Sequence, residues 1–307
     1  MNILFFGSAH FAIPTLHAIV SSKHKIVGVV TQPDKPAGRG QKETACPVAL
    51  ATRELRLKLF QPDSLKEDKE IQKLLSTKPD VLVVVAYGKL LPETLIRSVP
   101  KEAVNLHPSL LPKYRGAAPV QWSILNGDSV TGISTMKLAS EMDTGNVYLQ
   151  KEVSISAEET AEDLQSRLSL LGADLILNTL QGIENGSFIA TPQDSSKVIL
   201  APKLTKEMGH LDFKKPAKEL YNYVRGLQPW PNAYCFLGDK KINIFKAHIV
   251  EMSGPEKPGT ILDVNPLKIQ CGRGALELLE VQMEGKKRMH AREFLNGHPM
   301  KKGEIFT

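Results

Sequence analysis

Cysteine is scarce in this 307-residue chain: Cys46, Cys235 and Cys271 lie far apart, with no C-x-x-C spacing. They cannot form a zinc site by themselves, and an odd number argues against a disulfide framework. Free thiols in a reducing compartment are the expected state, and no metal is expected. No run of about 18 uncharged apolar residues occurs, which excludes a membrane-spanning helix. Met1 to Gly7 read directly as a strand, without a basic leader region or cleavage site, so a cytoplasmic protein is expected. Glycines are missing where a dinucleotide would need them. The first strand-to-helix turn, Gly7-Ser8-Ala9-His10-Phe11-Ala12, lacks the second and third glycines of G-x-G-x-x-G. Its backbone could not approach a pyrophosphate closely, which counts against a nucleotide-dependent oxidoreductase. His10 reads as a helix-entry residue.

What is present describes a globular protein of two domains, 42% hydrophobic with mixed charge. Ile3 to Phe6, Ile26 to Thr31 and Val81 to Ala86 read as buried strands, the last the most apolar and suited to the middle of a parallel sheet. Helical spacing covers Pro47 to Leu57, Glu67 to Ser76 and Ala161 to Ile183, and a helix opens near Pro14. Another helix runs from Ala117 to Leu125, its Trp122 read as core. Thr131 to Leu138 and Val147 to Ile155 read as further strands. This alternation predicts an α/β domain with a doubly wound, mostly parallel, Rossmann-like sheet over residues 1–203. Residues 192–203 lose periodicity and read as a linker. In residues 204–307, one helix near Pro216 to Arg225 precedes five short strands: Ala233–Leu237, Ile242–Ile249, Gly259–Asp263, Leu267–Gln270 and Ala275–Gln282. Their spacing suits a small OB-like β-barrel. The net charge is +6, and residues 204–307 supply most of it, with 17 Lys and Arg against 12 Asp and Glu. Positive charge concentrated in the smaller region suggests a docking surface for a polyanion.

The chemistry gathers in Val104 to Gly116, V-N-L-H-P-S-L-L-P-K-Y-R-G. Pro108 ends a short strand because it has no N–H for a ladder. Asn105 and His107, two apart, point to one face at the strand-to-loop junction, where open α/β sheets place ligand sites. Asn105 can donate to a developing oxyanion, and His107 can carry or move a proton near neutral pH. Asp143, in M-D-T-G after a later strand, could orient the imidazole and stabilise its charged form. A second segment, Gln32 to Lys42, is a Pro- and Gly-rich loop made basic by Lys35, Arg39 and Lys42.

N-x-H-P-S-L-L-P-x-Y-R-G followed by D-x-G resembles the signature of the 10-formyltetrahydrofolate-dependent formyltransferases. The resemblance implies Asn105, His107 and Asp143 as catalytic residues and Ser109, Leu110, Leu111 and Pro112 as a folate-contacting loop. It also places Tyr87 to Pro92 along a folate pocket, although Leu90 and Leu91 equally suit core packing. The implied cosubstrate is 10-formyltetrahydrofolate. The motif pairs no Ser or Cys with a base, so direct amine attack without a covalent enzyme intermediate is expected. Ser109 is better read as positioning the backbone.

The fold motif does not name the formyl acceptor. A glycinamide-ribonucleotide enzyme needs no second domain. A sugar-nucleotide formyltransferase can carry a related barrel. The basic barrel, the Lys35–Lys42 loop and L-x-F-x-x-x-A-x-x-L-x-N-x-V-R-G-L-x-P-W-P-N-A over Leu211 to Ala233 look like the methionyl-tRNA formyltransferase family. That resemblance implies initiator methionyl-tRNA as partner, Arg39 and Lys42 as tRNA contacts, and a monomer. A non-catalytic tRNA-binding protein would need the charged loop but not the Asn, His and Asp together.

Overall fold

A computed structural model describes residues 1–37, 42–252 and 254–307, with only the backbone described at 35–37 and 42–43. Two compact units are present. The first comprises Met1–Pro119, Thr131–Ser154 and Gln165–Ala201.

The sheet of that unit has seven strands. In spatial order they are Val147–Ser154, Val130–Lys137, Glu102–His107, Val81–Val85, Asn2–Gly7, Lys25–Val30 and Leu59–Phe60. From Glu102–His107 to Leu59–Phe60 every pairing is parallel, whereas Val130–Lys137 runs antiparallel to Glu102–His107. Val81–Val85 is buried at every position, as its unbroken run of Val and Leu requires of a strand covered on both faces. Pro14 and Pro47 stand in the first turns of their helices, where a missing N–H costs nothing. The flanks of the Gln32–Lys42 segment are paired: Lys35–Ala37 and Lys42–Thr44 form an antiparallel ladder. Arg39 lies outside the described residues.

Three readings need correction. Leu90 and Leu91 part company, Leu90 being exposed and Leu91 buried. Trp122 is half-buried and donates from Nε1 to the Pro202 carbonyl at 2.9 Å, so it is not a core residue. The stretch without periodicity, 192–202, is not free of structure. Leu200–Ala201 pairs in parallel with Arg115–Gly116, and Gln193 bonds to the turn that carries Asp143.

Tyr87 packs edge-on to Phe6 at 5.4 Å in an apolar cluster, and its hydroxyl is buried with no hydrogen-bond partner among the described residues. Burial pushes its pKa up to about 12. An unsatisfied buried hydroxyl costs roughly 1–3 kcal/mol. Tyr87→Phe is therefore expected to raise the urea unfolding midpoint at unchanged m, and a lowered midpoint would contradict this account.

The second unit comprises Val120–Val130, Ile155–Leu164 and Pro202–Thr307. It is an antiparallel β domain. Ala233–Leu237, Lys240–Val250, Ala275–Met283, Leu267–Gln270 and Ile261–Val264 are neighbours in that order. Along Ala233–Leu237 the buried Ala233 and Cys235 alternate with half-buried Tyr234 and Phe236, the period-two pattern of a one-sided strand. Sequence reading missed the two-residue strand Met289–His290 and the helix Ala291–Gly297, whose Phe294 joins the core. Two buried apolar residues in a seven-residue helix are too few to set up a legible periodicity.

Candidate active site

The site is built at the C-terminal end of Glu102–His107. Leu106 is buried among core residues, so the alternation of the strand turns Asn105 and His107 to the opposite face. Asn105 is half-buried, and its side chain has no hydrogen-bond partner among the described residues. His107 is only 4% exposed. Its Nε2 lies 2.9 Å from the Tyr114 carbonyl, which can only accept, so Nε2 carries the proton in this contact. Its Nδ1 lies 3.6 Å from Asp143 Oδ1, within ion-pair range but too long for a direct hydrogen bond. Both ring nitrogens thus face oxygen acceptors. Any proton that His107 exchanges with the site passes through Nδ1.

Asp143 is brought in from the loop between Val130–Lys137 and Val147–Ser154. It stands at φ 56°, a left-handed conformation that Asp tolerates better than most residues. One carboxylate oxygen faces His107 and the other, Oδ2, accepts from the Gly116 N–H at 2.8 Å. Gly116 is needed there: at φ 132°, a Cβ would come 2.4 Å from the Ala201 carbonyl oxygen. The structure thus places Asp143 Oδ1 beside His107, with Asn105 two positions earlier on the same strand.

The Ser109–Pro112 loop is framed from below. Ser109 is fully buried and its hydroxyl donates to the Lys113 carbonyl at 2.6 Å, so it is committed to holding the loop. Ser134 Oγ donates to the Ser109 carbonyl and accepts from the Leu111 N–H. Gln150 Nε2 donates to the Leu111 carbonyl and to Ser134 Oγ, each at 2.9 Å. Leu111 is buried, while Leu110 and Pro112 are half-buried. A ligand lying along this loop would therefore meet its main chain, Leu110 and Pro112 more than Ser109 or Leu111. Ser134, Gln150 and Gln193 carry no sequence signal of their own, being isolated polar residues on strands or in a loop. Of the basic-loop residues, Arg39 is outside the described residues and Lys42 is described only by its backbone, in the strand Lys42–Thr44. No group of three or more His, Cys, Asp or Glu among the described residues is placed to hold a metal. No helix among them is long and apolar enough to cross a membrane.

Comparison with known proteins supplies the context for this geometry. The formyl transferase family model matches residues 1–180, and the model of the formyl transferase C-terminal domain matches 203–299. The methionyl-tRNA formyltransferase of Solibacter usitatus is 43% identical over 99% of this chain and 98% of its own. That of Caldanaerobacter subterraneus is 42% identical over 99% of each chain. Among solved structures, WlaRD, a sugar 3N-formyl transferase determined with dTDP and 5-N-formyl-THF, superposes with a TM-score of 0.67 at 18% identity. That likeness covers 94% of this chain and 99% of WlaRD. HypX from Aquifex aeolicus in complex with tetrahydrofolic acid gives a TM-score of 0.63 at 17% identity, and this chain spans about half its length. These two likenesses concern the fold. The identity to the curated relatives runs along the whole chain and takes in both matched regions, so the chain belongs to the methionyl-tRNA formyltransferase family.

Proposed function

We propose that this protein transfers the formyl group of 10-formyltetrahydrofolate to the α-amino group of methionyl-initiator-tRNA, the formylation that precedes translation initiation. The observation that carries the reading is the pairing of His107 with Asp143 at the end of the strand that also bears Asn105, in a chain of this family. The neutral amine attacks the formyl carbon and forms the new C–N bond, while the carbonyl electron pair moves to oxygen. The Asn105 amide, without a hydrogen-bond partner among the described residues, donates to that oxyanion. Collapse restores the carbonyl and breaks the bond to the folate nitrogen, which takes a proton. Asp143 receives the proton lost by the amine, directly or through a water, and His107 Nδ1, facing Asp143, stabilises the charge and moves the proton toward the departing nitrogen. Ser109 does not act as a nucleophile, since its hydroxyl is buried and engaged with the Lys113 carbonyl.

Folate lies against the Ser109–Pro112 loop in this reading, and Arg39 and Lys42 of the basic segment contact tRNA phosphates. The excess positive charge of residues 204–307 adds a longer-range attraction for the tRNA. With the division of labour set at residues 1–203 and 204–307, the enzyme works as a cytoplasmic monomer. The test is formyl transfer from 10-formyltetrahydrofolate to charged initiator tRNA, compared with an amino sugar nucleotide as acceptor. Transfer to the tRNA alone is expected, and a preference for the sugar nucleotide would overturn the choice of acceptor.

A further inference from the structure

We infer that Gln193 is a positioning residue for Asp143, acting from a stretch that sequence periodicity would assign to a linker. The inference rests on the reading of Asp143 as catalytic. Gln193 Nε2 donates to the Asp143 carbonyl at 2.8 Å and to the Gly145 carbonyl at 2.7 Å, two acceptors on the same turn. Its Oε1 accepts from Arg115 twice, from Nε at 3.0 Å and from Nη2 at 2.8 Å. Both donors and both lone pairs of the amide are therefore used. Arg115 is followed by Gly116, whose N–H holds Asp143 Oδ2. The result is a closed circuit. The main chain of Asp143 is held by Gln193, Gln193 by Arg115, and the backbone next to Arg115 holds the Asp143 carboxylate.

The circuit has a purpose that packing alone would not require. Asp143 sits in a left-handed conformation, which costs an L-residue about 1 kcal/mol or more unless its surroundings hold it there. It is in this conformation that its Oδ1 faces His107. No other side-chain type reproduces the arrangement. Asn is one methylene too short. Glu could still accept from Arg115 but would turn an acceptor toward two carbonyls. Met matches the shape and makes none of the bonds.

The experiment uses Gln193→Met and Gln193→Glu in the full chain, with kcat and KM measured for both substrates. Each variant is expected to lose about 10- to 100-fold in kcat, the scale of a small misplacement of a reacting group. KM values should stay within about twofold, the pattern of a residue that positions a reacting group rather than binding substrate. In an Asp143→Asn background, Gln193→Met should cost less than about twofold more, since the group it positions is already gone. The Glu variant also decides between the two halves of the circuit: it keeps Arg115 engaged, so a loss as large as that of Met places the effect at the Asp143 turn. Wild-type kcat in both Gln193 variants overturns the inference, as does an undiminished Gln193→Met effect in the Asp143→Asn background. Full activity of Asp143→Asn alone overturns the reading of Asp143, and the inference falls with it. Impaired Gln193 variants beside a fully active Asp143→Asn would identify that second failure separately.

Discussion

His107→Ala is expected to lower kcat for formyl transfer by about 100- to 10,000-fold, the range for losing a positioned proton-transfer group. Binding of a 10-formyl folate analogue and of tRNA should change little, because the imidazole is almost fully buried, bonded to the Tyr114 carbonyl and facing Asp143. Asn105→Ala should cost about 100- to 1,000-fold, the scale of one lost oxyanion donor. The two losses should not multiply. Both groups act on one transition state, so the double variant should fall well short of the product of the single effects. Single-turnover rates at saturating folate and tRNA measure this directly. Near-wild-type turnover in His107→Ala would remove the ring from the mechanism, and strict multiplicativity would mean that the two residues act in separate steps.

Gly145→Ala is expected to have the second largest effect, on both stability and rate. Gly145 follows Asp143 by two residues, and a Cβ built on it would lie 1.8 Å from the Lys137 carbonyl oxygen. That oxygen belongs to the backbone of a sheet strand and cannot swing aside, so the loop itself has to move. Overpacking of this kind costs about 1–3 kcal/mol, which a shifted urea midpoint would register. The displaced loop would also carry Asp143 away from His107 and pull the Gly145 carbonyl from Gln193. A displacement of about 1 Å costs on the order of 100-fold in rate. An alanine variant with wild-type midpoint and wild-type kcat would show that the loop relaxes without consequence.

Much of this is legible in the sequence. The run Val81–Val85 announces a doubly covered strand because valine and leucine at consecutive positions leave no polar face to give to water. Pro108 closes the strand that carries Asn105 and His107, and their spacing alone places both side chains on one face. The bounds read for Leu267–Gln270 match the strand observed, since turn residues such as the preceding Asn265-Pro266 punctuate short strands sharply. Trp122 went astray for the opposite reason. An aromatic on an amphipathic helix suggests the core, but the indole N–H demands an acceptor, and the Pro202 carbonyl lies 80 residues away in sequence.

The sequence by itself determined most of the longer strands and helices, the catalytic candidates and the family, because periodicity, turn chemistry and a dense local motif are properties of neighbouring residues. Only the tertiary structure decided how the site is held. Asp143 reaches Gly116 across 27 positions, Gln193 reaches Asp143 across 50, and Gln193 reaches Arg115 across 78. Hydrogen bonds between isolated polar side chains and distant backbone leave no period in the sequence. A glutamine that clamps the turn of Asp143 reads, in one dimension, like any glutamine on a surface, and only the fold brings its amide to two carbonyls at once.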